Sequence, residues 1–328
     1  MRTMNKDITS FQVATAGEAL IDMMGRPDGS FMPCLGGAVY NLTRALALQD
    51  IATLYLNPLS SDRLGRQLAQ GLRECNVGLA CPDPVVQPTA LAMVALTESG
   101  HPDYAFYRDG VADRAIDAST LVQHCAAATG LQVVCTGALA LDPRDAGVYL
   151  PWLDAQCQAG RTVVVDANMR PSVMQDLAAY RRHVHAVLQR AHVIKVSDED
   201  LAHLGLTAGT PLEQARQLLA GSQASWLALT CGAEGAHLLT RHGAHFTARE
   251  SRALKVVDTV GAGDCFLAGL VARWLGLGLA QDWGRSVVDA HAAQSLLDHA
   301  IASASINVQR QGCQPPRAQE IEVWLGLA

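Results

Sequence analysis

The sequence lacks the signatures of several large classes of protein. Its 328 residues contain no Lys/Arg cluster and carry a formal net charge of -6, so nothing in the composition attracts a polyanion such as a nucleic acid. No window reaches the roughly 18 uninterrupted apolar residues of a membrane-spanning helix, and the first residues lack the apolar core of a signal peptide. These absences predict a cytoplasmic protein that binds neither nucleic acid nor a membrane.

Patterns for disulfides and metal sites are also missing. The nine cysteines are odd in number and never spaced as CxxC, and the eleven histidines include no HExxH pair. We therefore expect reduced thiols and no zinc site. Hydrophobic residues make up 49% of the chain and charged residues 17%, a balance that indicates a well-packed core rather than disorder.

Short apolar runs alternate with longer stretches of helical spacing along most of the chain. Alternation of this kind is typical of βα units around a largely parallel sheet. Several runs are apolar on both pleat faces, which predicts helices on both sides of the sheet. The predicted fold is a single α/β domain over residues 1–328, a three-layer α/β/α sandwich with a mostly parallel central sheet. The runs are QVATAG, IATLYLN, LQVVCTG, TVVVDAN, HVIKVS and SWLALTCG.

Residues 85–110 interrupt this alternation. They indicate two strands joined by the turn-rich sequence ESGHPD, with no helix between them. A hairpin inserted into a βα series usually projects from the sheet. Three interpretations remain open at this point: a lid over a site, a dimerisation arm, or an antiparallel edge of the sheet.

The most informative local motif is VVDTVGAGDCFLAGL, residues 256–270. We interpret LKVVDT as a strand, VGAG as a tight turn, and the apolar stripe from Cys265 onward as a helix. Glycines allow close backbone approach, and the first-turn N–H groups of a helix carry partial positive charge, so an anion site is predicted. Asp264 has two interpretations. It is either a helix cap or a general base that takes a proton from an attacking hydroxyl group.

A second glycine-rich stretch, CLGGAVYNLTRALALQ, covers residues 34–49. A Gly-Gly turn precedes a helix that carries Asn41 in or near its first turn. Small residues and a short amide suit a neutral polyol, whose hydroxyl groups need both donors and acceptors at close range. A packing turn with an ordinary cap is the alternative explanation of the two glycines.

Together, GGAVYN and DTVGAGD resemble the two signature regions of the ribokinase-like (PfkB) family of carbohydrate kinases. Other landmarks fall in the family's order over nearly the whole chain, among them GEALIDMM, FYRDGVADR, VVVDANMRP and VIKVSDEDL. The resemblance implies a three-layer α/β/α fold with a small β-sheet lid, formed by residues 85–110 and part of 18–35. It also implies that ATP lies across the carboxyl edge of the sheet and that the sugar lies under the lid.

The resemblance also implies roles for individual residues. Asp264 matches the catalytic base, and the anion hole for the γ-phosphoryl group matches Gly261, Ala262 and Gly263. The sugar-binding positions match Asp22, Gly36, Gly37, Asn41 and, from the lid side, Arg108. The nucleotide-binding positions match Asn168, Arg170, Ser197, Thr230, Gly232 and Gly235. Asp258 matches a residue near the monovalent-cation site of many members.

Four positions depart from the family pattern. Where the family often has an Asn-x-x-Glu motif that organises Mg²⁺ through water, this chain has Ser197 and Asp200, and the aspartate is one methylene shorter. Tyr40 and Ser60 stand where small residues or glycine are usual, so each is a candidate for a reshaped sugar pocket.

The expected activity is ATP-dependent, Mg²⁺-requiring phosphorylation of a primary hydroxyl group, with fructose giving fructose 6-phosphate as the leading reaction. GEALID followed by FYR resembles the fructokinase branch. The alternatives are 2-keto-3-deoxygluconate kinase, another PfkB sugar kinase, or a non-catalytic sugar-sensing paralogue. A K⁺ ion and a homodimer formed through the lid are further expectations.

Overall fold

The structure is a computed structural model that describes residues 10–26, 28–96, 102–279 and 289–327. The predicted ESGHPD connection falls largely on residues 97–101, which lie outside the described residues. The strands are β1 (Val13–Thr15), β2 (Leu20–Gly25), β3 (Phe31–Gly36), β4 (Thr53–Tyr55), β5 (Gly78–Leu79), β6 (Ala90–Leu96), β7 (Pro102–Tyr107), β8 (Val133–Gly137), β9 (Thr162–Asp166), β10 (Val193–Ser197), β11 (Trp226–Thr230), β12 (Ala236–Thr240) and β13 (His245–Ala248).

Nine of these strands form the central sheet, in the order β13-β12-β11-β10-β9-β8-β1-β4-β5. The strands from β5 across to β11 pair in parallel, and β12 and β13 extend the sheet antiparallel. The mostly parallel sheet is therefore confirmed. Because the strands are parallel, their carboxyl ends share one edge, where ligands bind in open α/β sheets.

Helices cover both faces of this sheet. Val163 and Val165 of β9 pack in one apolar cluster with Trp152, whereas Val164 packs in another with Phe266. Successive side chains of a strand point to opposite faces, so two separate cores confirm the three layers. The helices are α1 (Ala38–Leu48), α2 (Arg63–Glu74), α3 (Ala118–Ala127), α4 (Ala146–Gln158), α5 (Leu177–Leu188), α6 (Asp198–His203), α7 (Pro211–Ala220), α8 (Ala262–Gly276), α9 (Ala290–Asn307) and α10 (Ala318–Leu325).

None of the helices in the described ranges is long and apolar enough to cross a membrane.

The remaining four strands form a separate small sheet in the order β3-β2-β6-β7. β2 pairs antiparallel with β3 and parallel with β6, and β6 pairs antiparallel with β7. The hairpin predicted within residues 85–110 therefore exists, and it joins strands from 18–36. The alternative of an antiparallel edge on the main sheet is wrong, because β6 pairs with β2 and β7, and neither described strand of this hairpin pairs with the central sheet.

Two local predictions around residue 260 need correction. LKVVDT is not a strand. The backbone N–H groups of Val257 and Asp258 donate to the Val308 carbonyl after α9, and Val256 is 58% exposed. The apolar letters of this segment thus do not reflect burial in the sheet. In addition, α8 begins at Ala262 rather than at Cys265.

Candidate active site

The loop before α8 is tightly built around Gly261. This residue is the N-cap of α8, with φ 75° and ψ 3°, a left-handed conformation that favours glycine. A Cβ added there would lie 2.2 Å from the Cys313 Sγ. Ala262 donates its N–H to the Thr259 carbonyl at 3.2 Å. First-turn N–H groups have no partner within the helix, so the start of α8 is suited to an anion.

Asp264 does not cap α8. The helix start has no side-chain cap hydrogen bond, and Asp264 Oδ2 instead accepts from Asn41 Nδ2 of α1 at 3.0 Å. The carboxyl group is buried and lines a cavity together with Asp166 and Gly137. Burial raises its pKa, opposed by the hydrogen bond from Asn41 and the charges of Lys195 and Arg170. The capping interpretation is therefore wrong, and a basic carboxylate faces the cavity.

Asp22 reaches the same region from the small sheet. A Cβ on Gly36 of the neighbouring strand would lie 2.0 Å from Asp22 Oδ2, so glycine makes room for this carboxyl group. Burial raises the pKa of Asp22 to about 6; the Arg170 charge lowers it and Asp264 raises it further. Electrostatic interactions therefore connect the Asp22 carboxyl group with Arg170 and Asp264.

Gly37 and Asn41 complete the predicted sugar-binding set. Gly37 has φ 100°, and a Cβ there would lie 2.9 Å from the Glu18 carbonyl oxygen, so the α1 start packs directly on the chain before β2. The Asn41 side chain donates to Asp264, while its Oδ1 is buried and has no hydrogen-bond partner among the residues that the structure describes. Buried polar atoms are normally paired, so this acceptor is available to a ligand hydroxyl group.

Arg108, the remaining predicted sugar-binding residue, is buried beside a carboxyl group. Its side chain is 5% exposed and its Nη1 is 3.7 Å from Asp142 Oδ2, in the loop after β8. It also lowers the pKa of Glu18, a buried residue between β1 and β2 whose pKa desolvation raises to about 7. Arg108 follows β7 and Glu18 precedes β2, so this charged cluster lies where the small sheet joins the rest of the fold.

The predicted nucleotide residues follow the carboxyl ends of neighbouring strands. Asn168 and Arg170 come after β9, and Arg170 Nη1 donates to the Met169 and Asn168 carbonyls at 3.0 and 3.3 Å. Thr230 ends β11, where its Oγ1 donates to the Val196 carbonyl at 3.4 Å. The structure therefore brings these residues to one edge of the sheet, and Arg170 is close enough to Asp264 to lower its pKa.

The two glycines after β11 differ in their constraints. Gly235 has φ 97°, and a Cβ there would lie 2.3 Å from the Ala248 carbonyl oxygen, so packing against β13 explains this glycine. Gly232 has φ 52° and open space around its Cβ position. The space around Gly232 leaves room for a ligand. The need for glycine at position 235 is explained by packing within the protein, without a ligand.

Ser197 and Asp200 form a capping box at the start of α6. Asp200 accepts from the Met169 N–H at 2.7 Å and from the Ser197 N–H at 2.8 Å. Both carboxylate oxygens thus already bind backbone groups, so the pair fits Mg²⁺ held through water rather than by direct ligation. The described ranges contain no cluster of three or more His, Cys, Asp or Glu side chains that would hold a metal alone.

The Asp258 side chain forms hydrogen bonds with two loops. It accepts from the Val260 N–H at 3.0 Å and from the Gly312 N–H at 2.9 Å. These bonds connect the loop before α8 with the loop after α9. Its predicted place near a monovalent cation remains a prediction.

Two departures from the family pattern lie outside the lining of the cavity. Tyr40 is fully buried in the cluster between α1 and α2, and its hydroxyl group donates to the Leu68 carbonyl at 3.1 Å. Ser60 Oγ accepts from the Asp62 N–H at 3.0 Å, next to the start of α2. Neither side chain lines the cavity at Asp264, and an effect of these two residues on the sugar pocket stays a prediction.

Sequence reasoning missed a buried pair beside this site. Lys195 Nζ of β10 lies 3.1 Å from Asp166 Oδ2 of β9, and both side chains are less than 10% exposed. The signal was present in HVIKVS, where a lysine interrupts an apolar strand. A charge buried in a parallel sheet needs a partner, and the register places Asp166 opposite Lys195.

Known proteins resemble this chain over most of its length. The profile described as "pfkB family carbohydrate kinase" matches residues 12–320. A fructokinase of Rhizobium leguminosarum bv. trifolii is 33% identical over 268 residues, which is 79% of this chain and 78% of that protein. The chain is thus similar in sequence to a fructokinase along most of both proteins.

Solved structures agree with the fold. The Xylella fastidiosa fructokinase structure with bound ATP has a TM-score of 0.79 and 26% identity, covering 96% of this chain and 98% of that one. The Vibrio cholerae O395 fructokinase in its fructose, ADP and calcium ion bound form has a TM-score of 0.78 at 22% identity, covering 97% and 99%. The fold, the glycine loop before a buried aspartate and the family match lead to one conclusion: this chain belongs to the pfkB family of carbohydrate kinases.

Proposed function

We propose that this chain transfers the γ-phosphoryl group of ATP to the primary hydroxyl group of fructose, giving fructose 6-phosphate. The observation that carries the proposal is Asp264: a buried carboxylate at the start of α8, bound by Asn41 and preceded by the Gly261 turn. Similarity to fructokinases from several bacteria and plants supports fructose as the acceptor.

Asp264 would act as the general base. Its raised pKa makes the ionised carboxylate a better proton acceptor, provided the pH keeps it ionised. Asp22, Gly36, Gly37 and Asn41 would hold the sugar so that its hydroxyl group meets this carboxylate. Positioning and charge neutralisation supply most of the catalysis in phosphoryl transfer.

The negative charge that develops on the transferring group would meet the N–H groups of residues 261–263 and the Arg170 guanidinium group. Such preorganised donors stabilise a transition state because they need no reorientation during the reaction. When bound, Mg²⁺ would neutralise phosphate charge, held through water near Ser197 and Asp200. The proposed nucleotide set is Asn168, Arg170, Ser197, Thr230, Gly232 and Gly235, with K⁺ near Asp258.

The small sheet would serve as the lid of a single kinase domain. Asp22 lies on β2, so this sheet already carries one proposed sugar contact. Phe31 and Tyr107, on the outer strands β3 and β7, are 43% and 62% exposed, which supports the further proposal of a homodimer through this sheet.

The position of Arg108 favours a neutral sugar over 2-keto-3-deoxygluconate. A sugar acid needs a cation beside its carboxylate, and Arg108 was the candidate for that contact. In the structure this side chain is buried 3.7 Å from Asp142, and its charge also lowers the pKa values of Glu18 and Asp113, so three carboxyl groups of the chain already compete for it. A neutral ketose needs no such cation.

An acceptor screen tests the proposal. We expect ATP- and Mg²⁺-dependent ADP release to be fastest with fructose, and phosphorus NMR of the product to show a phosphate on C6. A higher kcat/KM with 2-keto-3-deoxygluconate would replace the substrate assignment. Sugar-dependent thermal stabilisation without ADP release from any sugar would favour the sensing paralogue instead.

A further inference from the structure

Lys195 is an unusual residue for its position. Its neighbours in β10, Ile194 and Val196, are fully buried. This strand pairs with other strands on both sides. Asp166 accepts one hydrogen bond from the ammonium group. An ion pair of this kind contributes little to stability compared with well-packed apolar residues, so folding alone does not explain the lysine.

The ammonium group lies directly beneath the start of α8. A Cβ on Gly263 would lie 2.9 Å from Lys195 Nζ. The N-terminus of a helix already carries partial positive charge, which favours anions and disfavours a cation. The Lys195 charge therefore does not stabilise α8. It does add positive potential at the loop where the phosphoryl group of a bound nucleotide would lie.

Lys195 is charged in this environment. Burial alone would lower its pKa, but Asp166, Asp200 and Asp264 outweigh burial and raise it. Lys195 in turn opposes the effect of burial on Asp264. The polar and charged groups around Asp264 come from four parts of the fold: Asn41 from α1, Lys195 and Asp166 from the central sheet, Arg170 from the loop after β9, and Asp22 from the small sheet.

We propose that Lys195 is a positioning residue for phosphoryl transfer, whose charge keeps the buried Asp264 ionised and strengthens the anion site at residues 261–263. It acts through these groups and does not itself contact the sugar. The inference rests on the proposed function for the role of Asp264 as base.

Lys195→Met removes the charge and keeps the length of the side chain. We expect kcat with fructose to fall at least about tenfold, with a smaller change in the KM for fructose. The base must be ionised, and losing a nearby cation raises the pKa of Asp264. The acid limb of the kcat/KM profile should therefore move to higher pH. An unchanged limb and kcat would overturn the proposal.

A double variant separates this role from a merely structural one. Lys195→Met alone leaves Asp166 buried without its partner, whereas Asp166→Asn/Lys195→Met leaves no unpaired charge and should fold. If Lys195 only balances Asp166, the double variant regains the kcat of the unmodified protein. Its pH profile does not discriminate, because Asp166 also acts on Asp264 and its removal offsets the loss of the Lys195 charge there. We expect the double variant to remain impaired, with thermal stability close to that of the unmodified protein. The matched control is Arg190→Met, which breaks the pair between Arg190, just after α5, and Asp154 of α4 and should leave the profile unchanged.

A binding measurement extends the test beyond turnover. Calorimetry with ADP, Mg²⁺ and aluminium fluoride, a mimic of the transferring phosphoryl group, should show weaker binding to Lys195→Met than to the unmodified protein, while the affinity for ADP with Mg²⁺ changes less. If Lys195→Met lowers the affinity for the mimic and the affinity for ADP with Mg²⁺ by the same factor, an effect at the anion loop is contradicted. An unmodified protein that binds the mimic but does not phosphorylate fructose would refute the fructose assignment, whereas the difference in mimic binding between the two proteins would still test the effect of Lys195 on the anion loop.

Discussion

At the scale of single residues, the site depends on pairs that lie far apart in the chain. Asn41 and Asp264 are 223 positions apart and meet at 3.0 Å. Gly36 and Asp22 lie on neighbouring strands, and only the missing side chain of Gly36 leaves space for the carboxyl group. Gly36 of the GGAVYN motif thus leaves room for the Asp22 carboxyl group, in addition to any part it has in the turn.

Gly36→Ala tests this interpretation. The new Cβ would stand 2.0 Å from Asp22 Oδ2, so the Asp22 side chain must move away from its place beside Arg170 and Asp264. We expect the KM for fructose to rise at least about tenfold, with a much smaller change in the KM for ATP. Steady-state kinetics with each substrate varied in turn measures both constants.

Gly147→Ala is the control for that variant. Gly147 lies in the first turn of α4, and no atom in the described part of the chain lies within 4 Å of its Cβ position. This substitution should leave both KM values unchanged. If the two alanine variants have the same kinetics, Gly36 is not required to accommodate Asp22.

At the scale of elements, α8 links the site to the core. Its first turn forms the anion loop, and its later residues pack closely on α9. A Cβ on Gly269 would lie 2.9 Å from the Ala300 Cα and 3.0 Å from the Ser303 Cβ. The two helices therefore approach each other through a glycine, and α9 supports the helix that carries Asp264.

Two glycines of α8 provide a matched prediction for stability. Gly269→Ala should lower the free energy of unfolding by about 1–3 kcal/mol, because α9 backbone must shift. Gly276→Ala, in the last turn of α8, meets no atom of the described residues within 4 Å and should raise it by about 0.5–1 kcal/mol, because alanine favours the helix. Urea denaturation measures both changes. Equal effects of the two substitutions would show that contact with α9 does not decide the outcome.

At the scale of the whole molecule, sequence patterns predicted the architecture well. TVVVD is apolar on both pleat faces, and in the structure β9 contributes side chains to both cores. Residues 85–110 lacked a helical pattern, and their strands lie in a separate small sheet. The pattern of apolar residues predicted these segments correctly because burial of a strand or helix face determines where apolar residues are needed. It failed at LKVVDT, where exposed valines imitate a strand.

The details of the site were harder to predict for a physical reason. A motif indicates which residue types lie together along the chain, but not which distant groups they meet. Nothing in FYR indicates that Arg108 pairs with Asp142, and nothing near GAGD indicates that Lys195 lies under Gly263. Such contacts arise from the order of strands in the sheet, which sequence periodicity does not specify.

The central claim is that Asp264 is the base for phosphoryl transfer, and the turnover of Asp264→Asn tests it most directly. An asparagine oxygen can still accept the hydrogen bond from Asn41, so the fold and the affinity for fructose should persist. With saturating fructose and ATP, we expect kcat to fall at least about a hundredfold, while the melting temperature and the calorimetric affinity for fructose stay close to those of the unmodified protein. A folded, fructose-binding variant with nearly normal kcat would contradict the account.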